Sequence, residues 1–235
     1  MAGKFEEIGS QEASQPISLL IWGDSHARSL TPALDELCRK FSQRGVQATH
    51  SLTAPVLEYN STSSWSLKED SPAFANAVLA FVTQRRVQNV IIAAEWCSYP
   101  ASDSLKAKLL ATVRAFLDSG ARVYVVKDVP ISTFDVPRLV SSTARYGGDV
   151  QKLGVTRERH EMLNREFQQT FATISQMGAT VLDPADYFLN RDGFYEVVRN
   201  EQVLYFDSDH LTLEGSSLLK PLFEPIFHAE WQRGL

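Results

Sequence analysis

Short apolar runs and amphipathic segments alternate along the chain from residue 17 onward. The runs that we interpret as strands are 17–22, 46–52, 89–94, 122–127 and 179–182. A strand-like run followed by a segment whose apolar positions recur every three or four residues is the pattern of a strand–helix unit, and repeated units build a mostly parallel sheet. The pattern predicts a three-layer α/β/α sandwich with a mostly parallel, flavodoxin-like five-stranded sheet.

The segments between these strands carry the helical period. The predicted helices are, in chain order, one that follows the first strand and is ended by Gly45, then 72–86, 104–118 and about 156–177. Two long stretches, 53–71 and 131–148, show no such period and are rich in residues that favour turns, so we predict that both are loops. In the last unit, 201–206 is a candidate final strand, and an apolar-periodic helix is predicted within 212–227.

Composition narrows the class of protein. The 235 residues are 44% hydrophobic and 22% charged, which is ordinary for a globular domain. The formal net charge is −5 with no block of like charge, so we expect no nucleic-acid partner. The longest uncharged apolar runs, 19–22 and 90–94, are far shorter than the ~20 residues of a membrane-spanning helix. We therefore expect no direct membrane insertion.

We divide the chain into a leader segment, 1–16, which we expect to be poorly ordered, and a single domain, 17–235. The leader is acidic where a secretory signal would be apolar, so no export signal is visible. The only cysteines, Cys38 and Cys97, form no CxxC pattern, which argues against a zinc or redox motif. Whether the two cysteines pair stays open.

Two polar motifs lie where strands are predicted to end: GDSH at 23–26 and DSDH at 207–210. The carboxyl ends of parallel strands share one edge of the sheet, so the two motifs are expected to meet although they stand at opposite ends of the chain. Ser25 would lie at a helix N-terminus, where unpaired N–H groups stabilise a developing oxyanion. A serine hydroxyl also needs a histidine to take its proton. Asp207 and His210 complete such a set.

The neighbours of these residues have simpler interpretations. We interpret Asp24 as a residue that either orients the turn or caps the helix, and Asp209 as a cap of the final helix. His26 either lines the site or has a structural role. His160 lies in a charged helical stretch and is interpreted as part of a solvated face. An aromatic pair after the third strand, Trp96 and Tyr99, is either a wall for a sugar ring or part of the core.

The two motifs resemble the first and last blocks of the SGNH (GDSL-type) hydrolase superfamily. Four runs, LLIWGDSHARSLTPALDEL, NVIIAAEW, ARVYVVKDVP and LYFDSDHLTLEGSSLL, are similar in order and spacing to the SGNH domain fused to membrane acyltransferases of the acyltransferase-3 type. The resemblance implies that Ser25 is the nucleophile, His210 the base and Asp207 its orienting acid. It further implies an ester hydrolase or O-acyltransferase that acts on O-acyl groups, usually O-acetyl groups, of carbohydrate or cell-envelope glycans.

The sequence departs from the superfamily at the oxyanion hole. The glycine of the second block and the asparagine of the third block, which donate hydrogen bonds in the superfamily, are not readable. Ala94-Glu95-Trp96 stands in place of the third block, and a Trp-bearing strand end of this kind also occurs in the acyltransferase-linked branch. We therefore assign only the N–H of Ser25 as an oxyanion donor. By the resemblance, a membrane acyltransferase domain is a candidate partner, and the place would then be outside the cytoplasmic membrane, at the periplasm or cell surface.

Two other functions stay open. A metal-dependent phosphoesterase is one, because Asp24 and His26 form a D-x-H of the kind that opens a two-metal site. A catalytically inactive glycan-binding module is the other, because the oxyanion donors of two blocks are not readable. For the ester mechanism we expect no cofactor and no metal. The motifs do not distinguish hydrolysis from transfer to a sugar hydroxyl.

Overall fold

The computed structural model describes residues 5–12 and 14–228. Its strands are β1 (Glu6–Gly9), β2 (Ile17–Gly23), β3 (Arg44–Thr49), β4 (Asn89–Ala93), β5 (Arg122–Val126), β6 (Gly154–Thr156), β7 (Thr180–Leu182), β8 (Phe194–Glu196), β9 (Val198–Arg199) and β10 (Gln202–Val203). Its α-helices are α1 (Ser25–Lys40), α2 (Ser71–Arg85), α3 (Asp103–Asp118), α4 (Val136–Arg145), α5 (Arg157–Asn164), α6 (Gln168–Gln176), α7 (Leu213–Ser217) and α8 (Lys220–His228). None of the helices in this described part of the chain is long and apolar enough to cross a membrane.

One six-stranded sheet has the order β1-β3-β2-β4-β5-β7. The last five of these run parallel in the flavodoxin-like order, so the predicted fold class is confirmed. The sixth strand, β1, pairs antiparallel with β3. It lies inside the segment 1–16, where we expected little order; the buried side chain of Ile8 and a hydrogen bond from Gly9 N to Asp35 Oδ1 hold it in place. Residues 1–4 and 13 lie outside the described residues, and the domain boundary at 16 stays a prediction.

Helices cover both faces of the sheet, so its central strands are apolar along their whole length. On β2, Leu19 and Ile21 pack into the layer that holds α1 and α8, while Leu20 and Trp22 pack into the layer of α2, α3 and α6. All four side chains are buried. Burial of each contributes about 1.5–3 kcal/mol to stability, which fixes the end of β2 and therefore the position of the motif that follows it.

The loop predicted at 131–148 is wrong in part, because it contains α4. Pro137 lies in the first turn of α4, where a missing N–H costs nothing. Asp135 caps that turn by accepting from Arg138 N at 2.8 Å. In place of the single helix predicted over 156–177, the structure has two helices, α5 and α6, separated by a 3₁₀ turn at Arg165–Phe167.

The prediction that 201–206 forms the final strand of the main sheet is also wrong. Only β10 forms there, and it pairs with β9 in a separate hairpin. Tyr205 then bridges to Leu211, so the backbone groups of this segment are satisfied locally. The first helix ends at Lys40 and not at Gly45, which lies inside β3.

Candidate active site

The turn between β2 and α1 places Ser25 at the first position of a helix. Asp24 is the N-cap of α1, with an extended backbone and a side chain that accepts from His26 N at 2.8 Å. The predicted capping role of Asp24 is confirmed. Because the first N–H groups of a helix have no intrahelical partner, the start of α1 presents donors and a positive dipole end beside the Ser25 hydroxyl.

Asp24 does more than cap the helix. Its Oδ2 accepts from Glu95 N and from the Tyr99 hydroxyl, both at 3.0 Å, and the residue is buried. The carboxylate therefore ties the start of α1 to the segment that follows β4. Burial, followed by the charge and the hydrogen bond of Asp24, raises the pKa of Tyr99 far above its ordinary value, so Tyr99 is a donor in this contact.

Replacing Asp24 with asparagine is expected to lower the free energy of unfolding by about 2 kcal/mol, measured by urea denaturation. Asparagine still caps a helix well, but its amide N–H₂ cannot accept the N–H of Glu95, which is left buried without a partner. The matched control is Asp135→Asn, because Asp135 caps α4 through one oxygen at an exposed turn. Equal losses in the two variants would contradict the role of the second oxygen.

The turn at 207–210 is held by its own first residue. Asp207 Oδ1 accepts from the backbone N of Asp209 at 3.0 Å and of His210 at 2.8 Å. Backbone bonds from Ser132 N to Ser208 O and from Val136 N to Asp207 O tie the turn to the start of α4. The turn is thus fixed on both sides before any side chain reaches the serine.

Ser25, His210 and Asp207 meet at the edge of the sheet. His210 Nε2 lies 2.8 Å from Ser25 Oγ, and His210 Nδ1 lies 2.8 Å from Asp207 Oδ2. Because Nδ1 faces carboxylate oxygens, the neutral imidazole carries its proton on Nδ1 and leaves Nε2 free to accept from the serine. The residues predicted from the two motifs are therefore brought into one hydrogen-bonded chain, 185 residues apart in sequence.

A second carboxylate reaches the same nitrogen. Asp209 Oδ1 lies 2.7 Å from His210 Nδ1, so Asp209 does not cap the final helix as predicted. Thr212 is the cap of α7 and accepts from Gly215 N. The sequence signal that could have found this contact is only the adjacency of Asp209 to His210, and neighbouring side chains usually point apart.

His26 is buried behind the serine. Of the two roles predicted for His26, this position agrees with the structural one. Its Nε2 lies 3.4 Å from Asp209 Oδ1 and 3.6 Å from Glu95 Oε2. Burial acts to lower the pKa of His26, but the hydrogen bond with Asp209 and the charges of Asp24 and Glu95 outweigh it, so the pKa is raised. Burial likewise raises the pKa of Glu95.

The pKa of His210 is raised to about 9. The hydrogen bond with Asp209 contributes most; burial opposes it, and the hydrogen bond and charge of Asp207 add to it. For Asp209 itself, burial acts to raise the pKa, but hydrogen bonds from His210, His26 and Ser208 outweigh burial and hold the pKa well below its usual range. Asp209 is thus charged at every pH at which the protein would work.

In the described part of the chain, the side-chain cluster with the donor set of a metal site is His26, Asp209 and His210. Its geometry is that of hydrogen bonds and ion pairs. The 2.7 Å between Asp209 Oδ1 and His210 Nδ1 is shorter than the separation of about 3.3 Å between two ligands on a tetrahedral zinc with bonds of about 2.0 Å. We therefore assign the cluster to ion pairing and not to a metal.

The open face of the site is apolar. A shallow cleft of about 440 Å³ beside Ser25 and His210 includes Pro32, Phe206 and Leu213 in its lining. Phe206 and Leu213 are exposed. Such a rim offers flat apolar contact to the part of a substrate that lies next to the reacting group.

Other predicted residues have structural roles. Trp96 is buried, and its Nε1 donates to Val126 O at 2.8 Å, so the core interpretation of Trp96 is confirmed. His160, interpreted as part of a solvated face, is buried against the Tyr195 ring, because α5 turns that side of the helix inward. Cys38 and Cys97 are both free thiols.

The third-block segment does not supply oxyanion donors through the N–H groups of Glu95 and Trp96. Glu95 N donates to Asp24 Oδ2, and Trp96 N donates to Asp128 Oδ1 at 2.6 Å. Both N–H groups serve to hold the segment in place. This agrees with the sequence, in which the asparagine of that block is not readable.

Comparison with known proteins gives a family and a set of similar folds. The chain matches the family model described as SGNH domain (fused to AT3 domains) over residues 3–225. No curated protein matches the chain.

Among solved structures, the chain is similar to the periplasmic domain of the lipopolysaccharide acetyltransferase of Salmonella ser. Paratyphi A, with 15% identity, a TM-score of 0.71 and coverage of 92% of this chain and 85% of that one. It is also similar to a GDSL-like lipase from Bacteroides thetaiotaomicron, with 11% identity, a TM-score of 0.53 and coverage of 92% and 91%. At such identities the likeness is one of fold.

Proposed function

Because the chain belongs to the family of SGNH domains that are fused to AT3 domains, we propose that it is a serine-dependent ester hydrolase or O-acyltransferase that forms an acyl-enzyme on Ser25. The observation that carries the proposal is the continuous set of short contacts from Ser25 Oγ through the His210 ring to a carboxylate. This set is what a serine needs to become a nucleophile.

The proposed reaction has two half-reactions. His210 Nε2 takes the Ser25 proton while Oγ bonds to the ester carbonyl carbon. The bond from that carbon to the leaving oxygen then breaks, and His210 gives the proton to the departing hydroxyl. In the second half, water or a sugar hydroxyl loses its proton to His210 and attacks the acyl carbon. The bond from that carbon to Ser25 Oγ then breaks, and His210 returns the proton to Oγ. Asp207 orients the imidazole and stabilises its charged form.

The start of α1 provides the electrostatic part of the proposal. Asp24 takes the N–H of His26, so the N–H of Ser25 is the donor we assign to the oxyanion of the tetrahedral intermediate. The positive end of the α1 dipole points at the same atom. A preorganised donor of this kind contributes about 2.7–4 kcal/mol to transition-state binding in serine hydrolases.

The substrate that we propose is an O-acylated carbohydrate of the cell envelope, with acetyl as the acyl group. Support comes from the fusion of the family to AT3 domains and from the fold likeness to a lipopolysaccharide acetyltransferase domain that is periplasmic. The apolar rim of Phe206 and Leu213 is suited to the flat face of a sugar ring. We further propose that a membrane acyltransferase domain is the partner, and that the domain acts outside the cytoplasmic membrane.

The two other functions have less support. A phosphoesterase that uses Asp24 and His26 as metal ligands would need the Asp24 carboxylate, whose two oxygens accept three hydrogen bonds within the fold. An inactive glycan-binding module would have no need for the 2.8 Å contact between His210 and Ser25. We therefore favour the ester mechanism.

Reaction with a serine-directed organophosphate tests the proposal. We expect the reagent to abolish hydrolysis of a nitrophenyl acetate and to modify one site, Ser25, as found by peptide mass spectrometry, while a chelator leaves the activity unchanged. Ser29, one turn further along α1, is the matched control, because Ser29→Ala should be labelled and inactivated as the unaltered protein is. Activity that a chelator removes and a divalent metal restores would support the phosphoesterase instead. Sugar binding without turnover or labelling would support the inactive module.

Hydrolysis and transfer are distinguished by the products. An acetylated donor is supplied with a glycan acceptor, and the acetylated acceptor and free acetate are both measured. An O-acyltransferase gives the acetylated acceptor at the expense of free acetate, whereas a hydrolase gives free acetate alone.

A further inference from the structure

The Nδ1 side of His210 faces two carboxylates, although a catalytic imidazole needs only one. Asp207 Oδ2 lies at 2.8 Å and Asp209 Oδ1 at 2.7 Å from the same nitrogen. The single N–H of the imidazole at this position is hydrogen-bonded to Asp207, and Asp209 makes a close charge contact with the same nitrogen. Which carboxylate determines the basicity of His210 depends on how each of them is held.

The two carboxylates are held differently. Asp207 is 37% exposed and uses its other oxygen to fix the backbone of its own turn. Asp209 is 20% exposed, its Oδ2 accepts from Ser208 Oγ at 2.6 Å, and its Oδ1 faces His26. Since charge interactions strengthen as water is excluded, the more buried Asp209 has the larger effect on the His210 ring.

His26 lies on the other side of the half-buried Asp209 from His210. Its ring lies 4.9 Å from the His210 ring and is enclosed, with Nε2 between Asp209 and Glu95. Two carboxylates beside a buried imidazole favour its protonated form, in agreement with the raised pKa of His26. Because His26 follows Ser25 directly on α1, the first turn of that helix carries both the nucleophile and this imidazole.

We propose that Asp209 is a second positioning residue for His210, and that the buried ring of His26 beside it holds Asp209 against His210 Nδ1. His26 and Asp209 do not touch the reacting atoms. They act through His210, whose basicity and orientation toward Ser25 they determine. The proposal rests on the proposed function, because it assigns His210 the part of the base.

The charged groups around the site determine the direction of the expected pH effect. His210 faces Asp207 and Asp209 from its own turn and His26 from α1, and Arg28 of α1 lines the same cleft. Tyr205 lies close enough to Asp209 for that charge to raise its pKa further, after burial. Asp24 and Glu95 act on His26. Of these groups, Asp209 contributes most to the pKa of His210 of about 9.

Asp209→Asn is the decisive variant, because it keeps the shape and removes the charge. The pKa of His210 is measured directly by NMR titration of its ring, which needs no activity, and again as the acidic limb of the pH profile of kcat/KM. Neutral His210 is the base, so activity rises with pH through this pKa. We expect the variant to move the pKa and the limb down by about one to two pH units and to lower kcat at high pH by loss of orientation.

Two comparisons make the test specific. Asp186→Asn removes an exposed carboxylate elsewhere in the fold and should leave the pKa and the limb unchanged. His26→Gln removes the imidazole that holds Asp209 in place. Asp209→Asn introduced on that background should therefore lower the pKa of His210 by less than half as much as it does in the presence of His26. An equal shift of the His210 pKa on both backgrounds would overturn the role of His26. An unchanged His210 pKa in Asp209→Asn would overturn the role of Asp209.

The proposed function and this inference fail in distinguishable ways. If Ser25→Ala retains turnover, the proposed function is wrong, whatever the titration of His210 gives. If Ser25 is required but Asp209→Asn titrates and turns over as the unaltered protein does, only the inference is wrong, and Asp207 alone positions His210.

Discussion

Turnover of an ester substrate is expected to fall about 10⁴-fold or more when Ser25 is replaced by alanine. The hydroxyl that forms the acyl-enzyme is then absent, and the His210 base has no proton to take. The free energy of unfolding should change little, because Ser25 is partly exposed and the helix cap is supplied by Asp24. The measurement is kcat with a nitrophenyl ester, with Ser29→Ala as the control, expected to stay within about twofold of the unaltered protein.

The same experiment extends to the pair of residues. His210→Ala should cost about as much as Ser25→Ala, and the double variant should cost little more than either alone, because the residues act as a unit and the residual rate comes from binding and the oxyanion donor. Losses that multiply in the double variant would contradict a shared proton relay. A trace of unaltered enzyme would give the same residual rate in all three proteins, and it is recognised because the serine-directed organophosphate removes it.

Much of the fold could be predicted because its strands are covered on both faces. A strand that is buried on both sides must be apolar throughout, so β2, β4 and β5 are visible as runs of Leu, Ile and Val. The parallel order then follows from the helices between them. The rule that places parallel strand ends at one edge holds for Ser25, which follows β2. His210 lies 2.8 Å from Ser25 as predicted, but it follows the separate β9–β10 hairpin and not a strand of the main sheet, so the rule does not account for its position.

What escaped prediction depends on contacts between segments. The segment 201–206 has the composition of a strand, but its hydrogen bonds go to a local hairpin and to Leu211, which no periodicity reports. His160 stands among charged neighbours, yet its side of α5 packs on Tyr195. In both cases a contact with a residue elsewhere in the fold determines where the segment packs. The local sequence pattern shows only which contacts are compatible with that segment.

The contact of Asp209 with His210 was not predicted from the sequence, for a related reason. A capping role is the ordinary interpretation of an Asp before a helix, and side chains next to each other in sequence seldom meet. Here Asp207 bonds to the backbone N–H groups of residues 209 and 210 and closes the turn, so both carboxylates reach the same ring nitrogen. The geometry of the turn, and not the residue types, creates the pair.

Replacing Gly23 with alanine is expected to destabilise the protein by about 3 kcal/mol and to lower turnover about 100-fold. Gly23 is the last residue of β2 and pairs with Ala93 on β4. A Cβ at this position would lie 1.7 Å from the Ala93 carbonyl oxygen and 2.6 Å from the Ala27 Cβ, and the first of these atoms belongs to the backbone of a central strand. The strand end therefore has to move, and Ser25 two residues later moves with it.

The matched control for this variant is Gly120→Asn, at the turn after α3. Gly120 has a φ of +86° and open space where a Cβ would lie, and asparagine tolerates the left-handed region. We expect the control to cost less than about 1 kcal/mol and to leave turnover unchanged. Urea denaturation separates stability from activity, because turnover is measured where both proteins are fully folded. If Gly23→Ala were as stable and as active as the control, the close approach of β2 and β4 would not be what holds the nucleophile in register with His210.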